Sequence, residues 1–243
     1  GGILLLLASH GAFGQSASVT YTISTVNKTR VHVIWVNLND QRLMVQPVLA
    51  WDRVGQRQSF VSFLSVYQPM AQITGSYFSL RTSRPIGDVM IGGRLRWRGP
   101  VGTALAIRPD NRAEMINIPY GWLYSWPGYE HVIKGGVRLV KDGKYALSPR
   151  EQGFRDPGLF RRATRTAVGI DRRNRLLMVA VGKPILLSDL AGIMKGLGCR
   201  DAMSLDGGTS TGLAHGVHVI MSPGRTLSSV LMVLPRPIKP PPP

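Results

Sequence analysis

Ala202-Met203-Ser204-Leu205-Asp206-Gly207-Gly208-Thr209-Ser210-Thr211-Gly212 is the stretch around which the rest of the chain can be organised. It begins as a short apolar strand that enters the centre of a sheet, and it ends in a carboxylate, two glycines and several hydroxyl side chains. Glycine permits positive φ and lets a ligand approach the main chain closely. The stretch therefore predicts a strand that ends in a functional site at residues 206–211.

The sequence on either side of this stretch is rich in strand patterns. Two helices are expected, one over 58–67 with a start signal at Ser59, and one from an N-cap at Ser188 to Gly198. Alternating or β-branched runs bounded by turn residues predict the strands. These runs are 19–26, 30–39, 42–50, 71–78, 86–95, 103–107, 112–119, 138–145, 166–171, 176–181, 202–205, 212–221 and 227–234.

The predicted fold class is α+β, a single domain with one mixed, mostly antiparallel β-sheet and two or more helices packed on it. Within that sheet, 30–39 and 42–50 are expected to pair as a tight hairpin at Asn39-Asp40, and further hairpin turns are expected at 92–93, 142–143 and 172–174. The last two strands, 212–221 and 227–234, are expected to close the sheet as another hairpin. The polar, arginine-rich segment 148–163 is predicted to be a mobile loop beside the site.

An aromatic stretch follows the predicted strand 112–119. Tyr120, Trp122, Tyr124 and Trp126 lie two residues apart, so that in an extended chain they share one face. Such a row can stack on sugar rings, or it can pack as an aromatic edge against the domain; the second interpretation is the commoner one.

The composition limits the classes of partner. A chain of 243 residues with 44% hydrophobic residues is long and apolar enough to form one sizeable core. The net charge of +17 favours anionic partners such as a phosphorylated glycan, an anionic cell-envelope polymer or a membrane surface. A general preference for arginine, which produces a basic surface that only faces solvent, explains the same net charge. Since no nucleic-acid-binding signature is present, nucleic acid is not an expected partner; the oligomeric state is left open.

The two ends of the chain are expected to lie outside the domain. Residues 1–18 resemble the remnant of a signal peptide, with an apolar run over 3–8 that is too short to span a bilayer and a small-x-small pattern at 12–14. This predicts a secreted, periplasmic or cell-envelope protein whose domain covers 19–234. Residues 235–243 predict an extended, proline-rich tail. The lone Cys199 cannot form an internal disulfide.

Gly208-Thr209-Ser210-Thr211-Gly212 matches the Gly-x-Ser-x-Gly nucleophile elbow of α/β-hydrolases. In those enzymes the acidic and histidine members of the triad follow the serine, but Asp206 is the last carboxylate of this chain. In addition, the segment after Gly212 has the pattern of a strand where the elbow requires a helix. The elbow interpretation therefore fails, and other triad orders, with His131 or His215 as base, rank low.

Asp206 is the better candidate for the reactive group, as a general acid or base. Gly207 and Gly208 can offer N–H donors to an anion, and Ser210 and Thr211 can add hydroxyl donors. Arg165, at the entrance of a strand, is the best candidate for the main counter-charge because a guanidinium binds phosphate through two parallel bonds. No cofactor is expected, since no Cys/His cluster has the spacing of a metal site, although a divalent cation on Asp206 is left open.

The segments Arg165-Thr166-Ala167-Val168-Gly169 and Leu205–Thr211, joined by the helix over 188–197, resemble the phosphodiester glycosidase family. Ile73–Phe78 stands where that family has an Asn-Gly-Gly-Phe-Phe-like strand, and Pro85-Ile86-Gly87 and Leu123–Tyr129 follow in the same order. The resemblance covers about residues 70–234. Thr74 stands in place of the family's usual Asn, Ser76 in place of a Gly, and Thr209 in place of a third Gly.

The resemblance implies hydrolysis of a glycosyl-1-phosphodiester to a free sugar and a phosphomonoester. Asp206 and Arg165 would be the catalytic pair, Arg165 neutralising the departing phosphate. The implied contacts to sugar and phosphate are Thr74, Gly75, Thr166, Gly207, Gly208, Ser210 and Thr211. Because ordinary glycosidases use two carboxylates, Asp88 after Pro85-Ile86-Gly87 is the candidate for a second one. Whether the C–O or the P–O bond breaks is left open.

A function of another class is also open. The same arginine-rich surface suits a non-catalytic envelope module that binds anionic polysaccharide, and the absence of Asn at position 74 favours that alternative.

Overall fold

The computed structural model describes residues 18–237, and these residues form three antiparallel sheets with two α-helices. The helices are α1, Phe60–Tyr67, and α2, Leu187–Gly196. Short 3₁₀ turns occupy Ala50–Asp52, Pro157–Phe160 and Gly208–Ser210. The strands in chain order are β1 Val19–Val26, β2 Thr29–Asn37, β3 Leu43–Leu49, β4 Ala71–Thr74, β5 Gly87–Ile91, β6 Arg94–Pro100, β7 Thr103–Ile107, β8 Ala113–Asn117, β9 His131–Gly136, β10 Arg138–Lys141, β11 Lys144–Tyr145, β12 Ala163–Asp171, β13 Arg175–Ile185, β14 Cys199–Ser204, β15 Leu213–His215, β16 His218–Met221 and β17 Ser229–Pro235.

The three sheets share the strands unequally. The first has the order β1-β2-β13-β12-β14-β10-β11, the second β16-β15-β4-β17-β3, and the third β6-β5-β9-β7-β8. The prediction of mostly antiparallel strands with two helices is confirmed. The prediction of one mixed sheet is wrong, because each neighbouring strand pair in the described part of the chain is antiparallel and the strands divide among three sheets. The strands dominate so far that the fold is β-rich rather than α+β.

The central strands of the first sheet are buried on both faces. Ile34 of β2 and Val168 of β12 face a core that also contains Ile73 and Leu231 of the second sheet. The opposite face of the same strands packs against α2, for example through Leu190. Strands that are covered on both faces have nearly continuous apolar sequences, and β12, β13 and β14 show this pattern.

The predicted hairpin between 30–39 and 42–50 is wrong. β2 pairs with β1 and β13 in the first sheet, whereas β3 pairs with β17 in the second. The turn at Asp40 carries the chain from one sheet to the facing one, so that both strands contribute apolar residues to the core between them. A hairpin would have placed the two strands in the same layer.

The predicted pairing of 212–221 with 227–234 is also wrong. The first of these segments forms its own hairpin, β15–β16, which turns at Gly216 with φ +55°. The second, β17, lies between β4 and β3. Hairpins with short, glycine- or asparagine-containing turns were predicted correctly at 92–93, 142–143 and 172–174, because there the signal is local.

Both helices were predicted, but one of their caps was not. The Ser59 side chain accepts the N–H of Ser62 at 3.1 Å, as expected for an N-cap. In α2 the N-cap is Leu186, and Asp189 supplies the missing acceptor by taking the N–H of Leu186 at 3.0 Å. Ser188 therefore lies inside the first turn. No helix within residues 18–237 combines the length and the apolar character needed to cross a bilayer.

The predicted leader falls almost entirely on residues 1–17, which lie outside the described part of the chain, as do residues 238–243 of the tail. The first two residues of the predicted tail, Pro235 and Arg236, remain in contact with the rest of the domain. Pro235 still pairs with Leu43, and the Arg236 guanidinium contacts Glu130 at 2.9 Å.

The four aromatic residues of the 120–126 stretch do not share one face. Tyr120 and Trp122 are exposed, whereas Trp126 is buried with φ +58°. The stretch is a turn at 120–121 followed by irregular chain instead of a strand, so the two-residue spacing that suggested a common face does not place the four side chains together.

Candidate active site

The stretch 206–212 lies where the chain crosses from the first sheet to the second. β14 ends at Ser204 between β12 and β10, and β15 begins at Leu213 beside β4. Two backbone bonds hold the start of the crossing: Leu205 N–H donates to Thr166 O at 2.9 Å, and Asp206 N–H donates to Gly75 O at 3.1 Å. The start of the crossing is thus fixed by β12 of the first sheet and by the residue that follows β4 of the second.

A pocket of about 510 Å³ opens over this crossing. Its lining combines carboxyl and phenol groups, apolar side chains and three arginines. The residues that line it are Tyr77, Phe78, Leu80, Ile86, Val101, Gly153, Phe154, Arg155, Asp156, Gly158, Leu159, Ala163, Arg165, Asp206, Gly207, Gly208, Thr209 and Arg225. The expected position of segment 148–163 beside the site is confirmed, since 153–159 forms one wall.

Asp206 is the carboxylate of the pocket with an altered acidity. Removal from water raises its pKa from the ordinary value of 3.8 to about 6. The Gly207 N–H, which donates to Asp206 Oδ1 at 2.9 Å, opposes this increase only in part. A group with this pKa changes protonation state close to neutral pH, as an acid–base or electrostatic catalyst requires.

Other neighbours of Asp206 also favour its ionised form. The charges of Arg225 and Arg165 lower its pKa, although less than burial raises it. The buried Ser210 hydroxyl makes no hydrogen bond of standard geometry within the described residues, but it stands close enough to the carboxylate to lower its pKa as well.

Arg165 lies in the wall of the pocket and is held mainly by the backbone. It is 3% exposed. Its Nη2 donates to Leu159 O at 2.9 Å and to Arg161 O, and its Nε donates to Ile185 O at 3.3 Å. The guanidinium therefore connects the 3₁₀ turn 157–160 and the end of β13 to the start of β12.

The two glycines are required for different reasons. A Cβ on Gly207 would come within 2.8 Å of Thr164 O, so the close approach of this segment to β12 demands glycine. Gly208 has φ +60° with open space where a side chain would begin. The Gly207 N–H, predicted to be an anion donor, is engaged by Asp206 in this structure.

The predicted hydroxyl and glycine contacts lie beneath the pocket and brace it. The Thr74 hydroxyl donates to Ser210 O, and the Thr166 hydroxyl donates to Asp206 O at 2.6 Å. Thr211 shares a 2.9 Å hydrogen bond with Thr164. A Cβ on Gly75 would come within 2.3 Å of Ser229 Oγ, which explains the glycine there by packing. None of Thr74, Gly75, Thr166, Ser210 and Thr211 lines the pocket.

Asp88, the predicted second carboxylate, is buried in the third sheet and does not line the pocket. Its two oxygens accept the Gly99 N–H at 2.8 Å and the Trp126 Nε1–H at 2.7 Å. The carboxylate that shares the pocket with Asp206 is instead Asp156, whose Oδ1 accepts the Gly158 N–H at 2.8 Å.

The sequence patterns missed four ionisable groups that line the pocket with Asp206: Tyr77, Arg155, Asp156 and Arg225. Burial raises the pKa of Tyr77 to about 12, and its hydroxyl lies 3.3 Å from Ser204 Oγ. Asp156 and Arg225 lie in irregular segments with no distinctive spacing. Only the glycine–proline punctuation of those segments marks them as loops.

A metal site has no obvious basis in the described residues. Among residues 18–237, no three His, Cys, Asp or Glu side chains come together as a metal ion would require. The expectation that the protein needs no cofactor remains a prediction.

The phosphodiester glycosidase family model matches residues 67–234, which include both strand ends of the crossing and the whole of the 206–212 segment. This chain belongs to the phosphodiester glycosidase family. The family resemblance inferred from the Arg165 and Asp206 motifs is thereby confirmed. A search of curated proteins finds no match.

Solved structures share the fold of this family member. A hypothetical protein from Synechocystis aligns with a TM-score of 0.78 and 16% identity over 90% of this chain, which spans 62% of that protein. The zebrafish N-acetylglucosamine-1-phosphodiester alpha-N-acetylglucosaminidase catalytic domain, auto-inhibited by its pro-peptide, aligns with a TM-score of 0.70 and 18% identity. The alignment covers 90% of this chain and 82% of the zebrafish chain. A candidate exported protein from Burkholderia pseudomallei aligns with a TM-score of 0.59 and 15% identity. The alignment covers 85% of this chain and 74% of the Burkholderia chain.

Proposed function

We propose that this protein is an exported hydrolase that cleaves a glycosyl-1-phosphodiester, in which a sugar-1-phosphate is linked to another glycan or polyol, into a free sugar and a phosphomonoester. The observation that carries the proposal is Asp206, a carboxylate with a pKa of about 6 in a pocket that also presents Arg165 and Arg225. Membership of the family supports the reaction class. Residues 19–234 would act as one catalytic domain.

The charge distribution of the pocket suits a phosphodiester. The phosphodiester carries one negative charge, and the leaving phosphomonoester carries a second that develops as the bond breaks. Guanidinium groups aimed at that developing charge lower the barrier without further reorganisation. The net charge of +17 adds long-range attraction for such an anion.

One catalytic carboxylate suffices for this reaction. Phosphate is already a good leaving group, so no second carboxylic acid must protonate it, in contrast to an ordinary glycosidase. This agrees with Asp88, whose two oxygens are occupied by Gly99 and Trp126. Asp206, ionised above about pH 6, would stabilise positive charge at the sugar carbon or accept a proton from the attacking water.

The direction of bond cleavage follows from these roles. Water oxygen would bond to the anomeric carbon, the bond from that carbon to the phosphate oxygen would break, and the electron pair would leave with the phosphomonoester. Hydrolysis in ¹⁸O-labelled water should place the label in the sugar. Label in the phosphomonoester would indicate attack at phosphorus.

The first substrates to test are sugar-1-phosphodiesters, including N-acetylglucosamine-1-phosphodiester, which appears in the name of the zebrafish relative. Export is supported by the predicted leader and by the Burkholderia neighbour. Release of free sugar by the wild type, reduced at least about 1,000-fold in Asp206→Asn, would support the proposal.

The alternative is a non-catalytic envelope module that binds anionic polysaccharide, and the high positive charge favours it. Thr74, in place of the family's usual Asn, does not line the pocket, so the substitution leaves the pocket lining intact. Tight, salt-sensitive binding of an anionic polysaccharide with no turnover of any sugar-1-phosphodiester would select this alternative.

A further inference from the structure

We infer that Arg225 is the residue that binds the substrate phosphate, and that Arg165 is a positioning residue which holds the pocket wall. This inference rests on the proposed function, because it identifies the anion as a phosphate group. It differs from the expectation drawn from sequence, in which Arg165 was the counter-charge.

Three of the five N–H groups of Arg165 already have protein partners. Its Nε donates to the carbonyl oxygen of Ile185, and its Nη2 donates to those of Leu159 and Arg161. A phosphate would have to displace these bonds before it could use the Nε–Nη2 side of the guanidinium in a bidentate contact. The buried guanidinium therefore offers an anion its charge and the two N–H groups of Nη1, but not its full set of donors.

Arg225 has the opposite environment. It is partly exposed and lines the same pocket. Within residues 18–237 its guanidinium takes part in none of the salt bridges. Its charge nevertheless acts on Asp206 more strongly than that of Arg165 does. Arg155 also lines the pocket, but its Nη1 donates to Arg150 O at 2.9 Å and its charge is not among those that act on Asp206. The Arg225 guanidinium has no hydrogen-bond or salt-bridge partner within the described residues, so it is the arginine of the pocket whose donors are all available to a ligand.

The loop that carries Arg225 is fixed to the site by the backbone. Gly224 N–H donates to Thr209 O at 2.8 Å, directly behind the 3₁₀ turn Gly208–Ser210. At its other end, Leu227 exchanges two 2.9 Å bonds with Gln58 before β17 begins. The side chain of Arg225 is therefore presented to the pocket from a short, anchored loop, as a phosphate contact requires.

The division of roles predicts different kinetic effects for the two arginines. Arg225→Ala should raise KM for a sugar-1-phosphodiester by about 10- to 100-fold, the loss expected for one or two charge-assisted hydrogen bonds. Arg225→Lys should recover part of this loss, because it keeps the charge without the planar fork. Arg94→Ala, which removes one exposed positive charge from β6, is the matched control and should leave KM within about twofold.

Direct binding separates this inference from the proposed function. Inorganic phosphate and a phosphomonoester would be titrated calorimetrically into Asp206→Asn and into the Asp206→Asn/Arg225→Ala double variant. Loss of phosphate binding on removal of Arg225 supports the inference even if no substrate is turned over, in which case the proposed function alone fails. Turnover with KM and phosphate affinity unchanged in Arg225→Ala overturns the inference and leaves the proposed function in place.

Thermal unfolding of each variant guards against misfolding. Within the described part of the chain the Arg225 side chain donates no hydrogen bond, so Arg225→Ala should unfold within about 2 °C of the wild type. If this variant unfolds early and Arg225→Lys binds phosphate no better than Arg225→Ala, the role of Arg225 is structural and the inference is wrong.

Discussion

At the scale of single residues, Asp206 lies in an environment that opposes its ionisation. Its pKa of about 6 in the folded protein, against 3.8 in the unfolded chain, means that the folded state binds a proton more tightly. This contribution to stability is fully present below about pH 4 and is lost as pH rises through about 6. The wild type therefore carries an unfavourable ionised carboxylate at neutral pH, as catalytic residues often do.

Asp206→Asn should consequently stabilise the protein at pH 7.5 while it removes activity. The expected gain in the free energy of unfolding is about 1–3 kcal/mol, because an amide avoids the cost of a partly buried charge and still accepts the Gly207 N–H. Urea unfolding at pH 7.5 and at pH 4 measures it, and the gain should disappear at the lower pH. Equal stability of the two proteins at both pH values would mean that Asp206 is not desolvated.

Gly207 and Gly208 form a matched pair for a second test. Gly207→Ala places a Cβ 2.8 Å from Thr164 O and must displace the Asp206 segment, whereas Gly208→Ala meets only the strain of positive φ. Gly208→Ala should cost about 1 kcal/mol in unfolding free energy, and Gly207→Ala should cost more and also reduce kcat. The prediction is contradicted if both variants unfold and turn over alike.

At the scale of secondary-structure elements, the pocket wall 157–160 depends on Arg165. Lysine at this position keeps the charge but cannot donate to the carbonyls of Leu159, Arg161 and Ile185 together. Arg165→Lys should therefore increase amide hydrogen exchange over 157–161 and lower kcat, with a smaller effect on KM than Arg225→Ala has.

Arg162→Lys is the control for that measurement. Arg162 belongs to the same segment, but its side chain is exposed and meets only the exposed Asp189, at 3.3 Å. Amide hydrogen exchange over 157–161 in Arg162→Lys should match that of the wild type. Exchange over 157–161 that is unchanged in Arg165→Lys would show that Arg165 does not hold the wall.

Sequence predicted the elements better than their partners. The helix start at Ser59 and the β12–β13 hairpin depend on residues close in the chain, so their patterns sufficed. The separation of β2 from β3 depends on which distant strand each one pairs with, and no local pattern encodes that choice. The N-cap of α2 was misplaced because Asp189 supplies the acceptor from within the helix.

The candidate site shows the same limit. Asp206 and the two glycines stood out because they interrupt an apolar strand. Asp156 and Arg225 come to the pocket from distant loops, where a single charged residue usually means a solvated surface. Asp88 was predicted because it follows Gly87, but in the structure its carboxylate accepts the indole N–H of the buried Trp126 within the third sheet.

At the scale of the whole molecule, a buried arginine that is paired within the first sheet also joins that sheet to the third. Arg138 of β10 donates to Asp201 of β14 and also to Met115 O of β8 at 2.8 Å. Both charged side chains are nearly inaccessible to solvent. Removal of one partner leaves the other charged and buried, which is strongly destabilising.

Asp201→Asn should lower the free energy of unfolding by about 3 kcal/mol, measured by urea denaturation. Asp110→Asn is its control, because the Arg112–Asp110 contact at 3.3 Å joins two exposed side chains and should cost less than about 0.5 kcal/mol. A similar loss in both variants would mean that burial adds nothing to the contribution of the Arg138–Asp201 pair.

The pH dependence of kcat/KM for release of sugar from a sugar-1-phosphodiester, measured for the wild type and Asp206→Asn, is the most direct test of the account. The free enzyme should gain activity as pH rises through about 6, where Asp206 ionises, and Asp206→Asn should lose at least about 1,000-fold with no such rise. A flat profile between pH 5 and 7, or an Asp206→Asn variant that still releases sugar at a comparable rate, would contradict the assignment of Asp206 as the catalytic carboxylate.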